Sequence, residues 1–399
     1  MAEQPIIAAG LDAGSRSTRL VICALKKNRI RFLGHASVES QGWVKARIAD
    51  QKAVADSIGA ALREAEAAAG VSVGAVTAGI GGPDVRGGNT RGAVELGYLR
   101  EVVQRDVNRA LDHASRVQWQ NDRMLLQLFP QDFVVDGHAG YRDPRGMMAA
   151  TLEANAHLIT ASEREHDLLV GAVNQAHLVV EETVFEAVAA CYAAVKPDER
   201  RQGIALVDIG AHSTGIAAFD GDALRLASTA PICGDHFTAD LAKPLRLSFD
   251  EAEVVKMEFG GALASACPPN VRVELPTEEN RERRDTTRTL INQVLEARGE
   301  DLFAYVRSEL ARVGMDRALL GGVFLTGGGA KLPDLCDVAD RVLQCQVRYG
   351  LAVGIQDWPE ELNDQEWCVA AGLAMYSARL KAHAEQEREA GGWLSRILK

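Results

Sequence analysis

Asp12-Ala13-Gly14-Ser15-Arg16-Ser17-Thr18 and Asp208-Ile209-Gly210-Ala211-His212-Ser213-Thr214 are two copies of one pattern. Asp, Gly, Ser and Thr recur in one register. Each copy ends a short apolar run, Ile-Ile-Ala-Ala-Gly-Leu at 6–11 and Ile-Ala-Leu-Val at 204–207. Short apolar runs bounded by turn residues read as buried strands. A second strand follows each, at 20–25 and 216–219, then a third, then long helical segments at 51–69 and 236–263. A β-meander with helix behind it, met twice, predicts two related α/β halves that present the same loop to a cleft between them. One Asp-x-Gly turn is commonplace, but two in matching strand–turn–strand context favour a shared ligand.

A third loop, Thr326-Gly327-Gly328-Gly329-Ala330, follows the apolar strand Val323-Phe324-Leu325, and a helical stretch begins after Pro333. In that context backbone N–H groups approach a ligand closely. Neither G-x-x-x-x-G-K-[ST] nor G-x-G-x-x-G occurs, so P-loop and Rossmann readings lose ground. Strand–turn–strand loops of small residues form nests for phosphate oxygens, with the hydroxyls of Ser15, Ser17 and Ser213 as further donors. Asp12 and Asp208, facing one another across the cleft, suit Mg²⁺, which takes few carboxylates and keeps its waters. Two phosphate clamps and a glycine loop for a base describe a nucleotide site. Glu253 and Lys256, at i, i+3 on the helix after Ser248, are by default a surface ion pair. The sharper reading sends both to ribose hydroxyls and the purine edge.

The 399 residues suggest two or three domains. With 47% hydrophobic and 25% charged residues the chain is an ordinary globular mix. A net charge of -11 and 5% aromatics disfavour nucleic acid as a partner. The seven cysteines show no C-x-x-C spacing and read as reduced core thiols. No signal peptide and no apolar run of about 18 residues is found, which predicts a cytoplasmic protein. Residues 98–160 differ in character, with a helix expected at 100–114 and strands at 127–133 and 148–160, and read as an inserted subdomain. The charge run Arg281-Glu282-Arg283-Arg284-Asp285 reads as a solvated loop.

In their order along the chain, the two Asp-x-Gly loops, the Glu-x-x-Lys helix and the Thr-Gly-Gly-Gly loop are similar to the actin, Hsp70 and sugar-kinase ATPase superfamily. Within it the chain resembles the FtsA family of bacterial cell-division proteins along nearly its whole length. The more specific matches are Phe129-Pro130, Asp143-Pro144-Arg145-Gly146-Met147, His157-Leu158-Ile159-Thr160, Val207-Asp208-Ile209-Gly210, Ala252-Glu253-Val254-Val255-Lys256 and Leu325-Thr326-Gly327-Gly328-Gly329. The resemblance implies an α/β, actin/Hsp70-like two-lobed ATPase fold with an inserted 1C-type subdomain. It places subdomain 1A at 1–97, 161–202 and 365–384, and 1C at 98–160. Subdomain 2A falls at 203–232 and 320–364, 2B at 233–319, and a tether with an amphipathic helix at 385–399.

The resemblance further implies ATP and Mg²⁺ as cofactors. The residues carried over for binding are Asp12, Gly14, Ser15, Arg16, Ser17, Asp208, Gly210, Ala211, His212, Ser213, Gly234, Glu253, Lys256, Gly327, Gly328 and Gly329, with Asp12 and Asp208 at the metal. Glu186 corresponds to a glutamate near the γ-phosphate that could orient water. The implied partners are the C-terminal peptide of FtsZ, met by Arg298 and Arg307, other copies of the chain in a filament, and anionic lipid, with no nucleic acid. The implied place is the cytoplasmic face of the inner membrane at the division site. One departure stands out: the family's second phosphate loop commonly reads Gly-Gly-Gly-Thr-Thr-Asp, and residues 210–215 read Gly-Ala-His-Ser-Thr-Gly. The added bulk and the lost carboxylate predict at most a slow ATPase.

The end of the chain, Gly391-Gly392-Trp393-Leu394-Ser395-Arg396-Ile397-Leu398-Lys399, places Trp393, Leu394, Ile397 and Leu398 on one helical face with Arg396 and Lys399 toward the other. That pattern reads as a membrane-surface helix on an otherwise acidic protein. It also separates the leading reading from a PilM-type scaffold for pilus assembly, which shares the 1C-bearing fold. A sugar kinase would need a substrate aspartate, and an Hsp70-like chaperone a peptide-binding domain; neither is found.

Overall fold

The structure is a computed structural model that describes residues 5–117, 122–268, 270–276 and 284–397, with 386–397 as helix backbone alone. It divides into two compact units, one built from Met1–Gly81, Glu163–Lys196 and Gly350–Lys399, the other from Gly82–Ser162 and Pro197–Tyr349.

In the first unit, β1 (Ile6–Ala13), β2 (Ser17–Lys26) and β3 (Arg29–Glu39) form the expected antiparallel meander. β6 (Ala75–Ile80) joins β1 in parallel, and β11 (Val179–Phe185) joins β6. A short strand β19 (Ile355–Gln356) completes the six-stranded sheet beside β3. A small ladder, β4 (Trp43–Val44) with β5 (Arg47–Ile48), precedes helix α1 (Gln51–Ala69). Asp50 caps α1 by accepting from the N–H groups of Lys52 and Ala53. The other helices are α3 (Glu163–Gln175), α4 (Glu186–Ala194) and α10 (Cys368–Ile397). Gly10 lets α10 lie on the sheet, since a Cβ there would come 2.3 Å from Ala370 O and Ala374 N. Ala8, Val21 and Cys23 pack there against Ala370, Ala371 and Ala374. Gly34, in the neighbouring row and so on the opposite face, admits α1 in the same way.

The second unit repeats the meander in β12 (Ile204–Ile209), β13 (Thr214–Asp220) and β14 (Ala223–Ala230). β17 (Val323–Thr326) lies parallel to β12, and β18 (Val347–Tyr349) parallel to β17. Helices α6 (Gly234–Leu245), α7 (Phe249–Phe259), α8 (Arg288–Arg312) and α9 (Leu335–Leu343) surround a core that includes Ile209, Ile216, Phe237, Val255, Leu295 and Phe303. The helix expected at 236–263 is thus broken at Arg246, which adopts φ +51°. A short helix α5 (Pro197–Arg200) and a two-strand ladder, β15 (Arg272–Glu274) with β16 (Asp285–Thr287), complete this part.

The inserted subdomain is a four-stranded sheet, β7 (Arg86–Glu101), β10 (Met148–Ser162), β8 (Arg123–Val135) and β9 (His138–Tyr141), in that order, with α2 (Gln104–Ser115) across it. It begins near 86, ahead of the expected boundary at 98. The helix expected from 100 starts later because Arg100 and Glu101 still pair with Ala149 and Met148. A second boundary moves as well. Residues from 350 onward belong to the first unit, where Ile355 pairs with Ile30, while the sequence reading assigned 320–364 to the second half.

Candidate functional site

In the second unit, Asp208, one residue before the end of β12, pairs with Thr326 at the end of β17. Both are buried, and Thr326 Oγ1 donates to Asp208 Oδ1 at 2.9 Å, which fixes the carboxylate. The following loop closes on itself through Gly210 N–H to Ser213 O at 2.8 Å. It is seated on the first turn of α6, whose Gly234 and Asp235 N–H groups donate to Gly210 O and Ala211 O, both at 2.9 Å. The positive end of a helix dipole thus stands at the loop. His212 extends from it, with Nε2 3.1 Å from Asp235 Oδ2.

The three glycines after Thr326 divide their roles. Gly327 has φ +84°, and a Cβ there would lie 2.5 Å from Ile209 O; one at Gly329 would lie 2.5 Å from Ile209 Cγ2. These two let the turn press against the end of β12. Gly328 has nothing within 4 Å of the position a Cβ would take. It borders open space, where a ligand can approach the backbone.

Glu253 and Lys256 form a 2.6 Å ion pair on α7. The ammonium also donates to Thr238 Oγ1 at 2.8 Å, and the Thr238 hydroxyl donates to Glu253. The pair, mostly buried, is therefore turned toward α6. Cys233 precedes α6, its thiol 3.1 Å from His236 Nδ1, and burial pushes the thiol up to about 11. It is not a nucleophile at neutral pH.

In the first unit, Gly14, Ser15 and Arg16 form the turn between β1 and β2, where Ala13 pairs with Thr18. Ser17 opens β2, and Asp12 is buried near the end of β1. Directly opposite Asp12 in the ladder is Arg19, with Nη1 4.0 Å from Asp12 Oδ2 and Nη2 2.6 Å from Glu366 Oε2. Glu186 is the first residue of α4, and its carboxyl lies over Gly79 and Gly81, where an added Cβ at Gly81 would overlap it. Since β6 runs parallel to β1, Asp12 and Glu186 belong to the same carboxyl edge of this sheet, the edge where open α/β sheets take their ligands.

Arg19, Thr238 and Asp235 escaped the sequence reading. Arg19 was findable, because a turn that pairs Ala13 with Thr18 also sets Arg19 against Asp12. Arg298, expected to meet an acidic peptide, instead grips Asp240 of α6 through Nε at 2.6 Å and Asp301 at 3.2 Å. Its charge is thus engaged within the fold by Asp240 and Asp301. Arg307 is exposed and donates to Val342 O at 3.1 Å. At the C-terminus, residues 385–390, the start of the expected tether, are helix backbone continuous with α10. Trp393, Leu394, Arg396 and Ile397 fall on that backbone; their side chains, and Leu398 and Lys399 altogether, lie outside the described residues. Among the described residues no helix is long and apolar enough to cross a membrane.

Residues 205–372 match the family model "Cell division protein FtsA", and 82–160 match "SHS2 domain inserted in FTSA". The second match begins close to β7, in keeping with the insert seen in the structure. The cell division protein FtsA of Pseudomonas aeruginosa is 31% identical over 92% of this chain and 88% of its own length. That of Escherichia coli K12 is 28% identical over 98% and 96%. Among solved structures, the PilM-PilN type IV pilus biogenesis complex aligns with TM-score 0.68 at 18% identity, covering 93% of this chain and 98% of that one. MreB5 of Spiroplasma citri bound to ADP aligns with TM-score 0.56 at 14% identity, covering 95% and 98%. At such identities the likeness is one of fold, and the fold is actin-like.

Proposed function

The chain belongs to the FtsA family of cell-division proteins, and from that premise we propose that it is an ATP-binding, actin-like adaptor that polymerises on the cytoplasmic membrane and anchors FtsZ filaments to it. The family assignment displaces the pilus-scaffold and sugar-kinase readings, since the relatives spanning nine-tenths of the chain are cell-division proteins.

The observation that carries nucleotide binding is the open space at Gly328, bordered by glycines packed onto the end of the strand that bears Asp208. The residues present fit a nucleotide. Gly327, Gly328 and Gly329 would hold the base, and Glu253 and Lys256 the ribose. The loop 210–213 on the α6 N-terminus would hold phosphates, and the Asp12 loop has the same strand–turn–strand form. Mg²⁺, with Asp208 as a carboxylate beside the 210–213 loop, would neutralise phosphate charge. Glu186 would orient water. The bulk of Ala211 and His212 supports slow turnover.

Fluorescent ATP-analogue binding, paired with co-sedimentation on anionic liposomes and FtsZ filaments, tests the reading. The full chain should bind nucleotide and bring FtsZ to liposomes, and a chain ending at 390 should keep the first property and lose the second. A full chain that binds no nucleotide, or that recruits FtsZ equally well without its tail, would overturn it.

A further inference from the structure

In a chain of net charge -11, the stretch from Ala13 to Val38 contains no aspartate or glutamate. Its Lys26, Lys27, Arg29 and Arg31 gather where β2 turns into β3. Lys26 pairs with Arg29 in the ladder, so Lys27 and Asn28 alone make the turn, with φ +49° and +60°. A two-residue turn with both φ angles positive favours Asn and Gly. Here a lysine takes the first place, so the tip carries charge in spite of its backbone. Residues Lys26 to Arg29 are all exposed, and among the described residues Lys26, Lys27 and Arg29 form no ion pair. Arg31 differs, being held by Asp357 at 2.6 Å.

The packing of α10 gives this turn its setting. The helix crosses β1 at Gly10, against Ala370 and Ala374, and by Lys381 it has reached Ile7, whose carbonyl accepts from the ammonium. It therefore runs toward the beginning of β1. Ile6 there pairs with Leu25, and Lys26 is the next residue of β2. The basic turn and the outgoing C-terminal helix thus share one end of the first unit. The Asp12 loop lies at the other end of β2.

We propose that Lys26, Lys27 and Arg29 form a second, electrostatic membrane contact, which meets anionic lipid headgroups when the C-terminal tail is bound. The inference rests on the membrane reading of the tail above and adds to it a surface of the folded body. Against a net charge of -11 these cations do not hold the chain on lipid by themselves. Joined to a weak apolar end, they make a stable attachment out of two marginal ones. They also fix which end of the first unit faces the bilayer.

The test compares the full wild-type chain with K26Q/K27Q/R29Q and K26E/K27E/R29E in co-sedimentation with vesicles of phosphatidylcholine, alone or mixed equally with phosphatidylglycerol. On mixed vesicles at about 50 mM salt the glutamate variant should bind about tenfold more weakly than wild type, and the glutamine variant by an intermediate factor. At about 300 mM salt the gap should close, because the screening length falls to about 6 Å. On phosphatidylcholine alone, where only the tail acts, the three chains should be indistinguishable. ATP-analogue affinity and binding to FtsZ filaments without lipid should also be unchanged. Equal binding of the three chains to mixed vesicles at low salt overturns the patch and leaves the tail reading standing. A loss of the same size on phosphatidylcholine alone does so too. A loss confined to FtsZ filaments assigns the turn to an acidic protein surface and overturns the lipid contact. A wild-type chain that binds neither vesicle overturns both readings.

Discussion

The guanidinium of Arg19 stands 4.0 Å from the carboxylate of Asp12, straight across the β1–β2 ladder, whereas the residue across from Asp208 in the repeated ladder is Gly215. The two aspartates match in sequence and differ in surroundings: one has a cation beside it, the other a threonine hydroxyl. Arg19 also holds Glu366 and lies 5.7 Å from the centre of the Trp367 ring, immediately before α10 begins. It joins the first loop to the root of the C-terminal helix.

Replacing Arg19 by Met takes away the cation that Asp12 and Glu366 share. Removing one partner of a mostly buried ion pair costs up to about 3 kcal/mol. R19M should therefore lower the urea midpoint clearly, and R19K, which keeps the charge without the planar fork, should lower it less. Equal midpoints for R19M and wild type would show that the contact carries no weight.

The glycine loop allows a separation of folding from binding. G328A should leave stability within about 0.5 kcal/mol of wild type, since its Cβ meets nothing. G328E should abolish binding of the ATP analogue in a folded protein. G327A should instead destabilise the fold by about 2 kcal/mol or more, because a Cβ at φ +84° meets Ile209 O. Thermal unfolding together with analogue binding separates the cases, and a G328E variant that binds normally would remove the loop from the site.

Acid sensitivity should centre on His157. Its ring is buried in β10 of the inserted sheet, with Nδ1 2.6 Å from Asn89 Oδ1 and Nε2 without a partner. Burial, and then the charge of Arg312, hold it down to about 4. An unfolded chain takes up this proton near pH 6.5 and the folded one only near 4, so the unfolded state binds more protons in between. Stability should fall as pH drops from 6.5 to 4, by about 3 kcal/mol from this group. H157Q, which retains a donor for Asn89 and does not titrate, should flatten the profile over that window. An unchanged profile would place the acid sensitivity elsewhere.

What the sequence disclosed and what it hid follow from the range of the signals. The two meanders were legible because each couples an apolar run to an Asp-x-Gly turn within a dozen residues, and α1 was legible over its whole length. The start of the insert was not. Gly87, Gly88, Gly92 and Gly97 look like turn residues, although Gly92, Val94 and Leu96 alternate inward along β7. The return of 350–364 to the first unit rests on a strand of two residues, too short to leave a pattern. Within the site, Asp208 and the glycine loop were found through local motifs. Arg19, Asp235 and the Asp240 contact of Arg298 depend on pairings between elements, which no local spacing records.

The last expectation concerns the tail. α10 is tied to the first unit as far as Lys381, whose ammonium donates to Ile7 O at 2.9 Å and lies 3.1 Å from Glu181. Beyond it the helix backbone continues to Ile397, through the stretch whose sequence pattern predicts an apolar stripe of Trp393, Leu394 and Ile397. The whole chain carries a net charge of -11, which disfavours its body on anionic lipid, so attachment should depend on these tail residues. One short amphipathic end gives marginal, reversible binding, and filaments multiply it through effective concentration. Recruitment to anionic liposomes should therefore rise more steeply than linearly with protein concentration. W393E should abolish co-sedimentation at every concentration while leaving ATP-analogue affinity and thermal stability unchanged. If W393E pellets with liposomes as wild type does, and stays in solution without them, another surface holds the membrane.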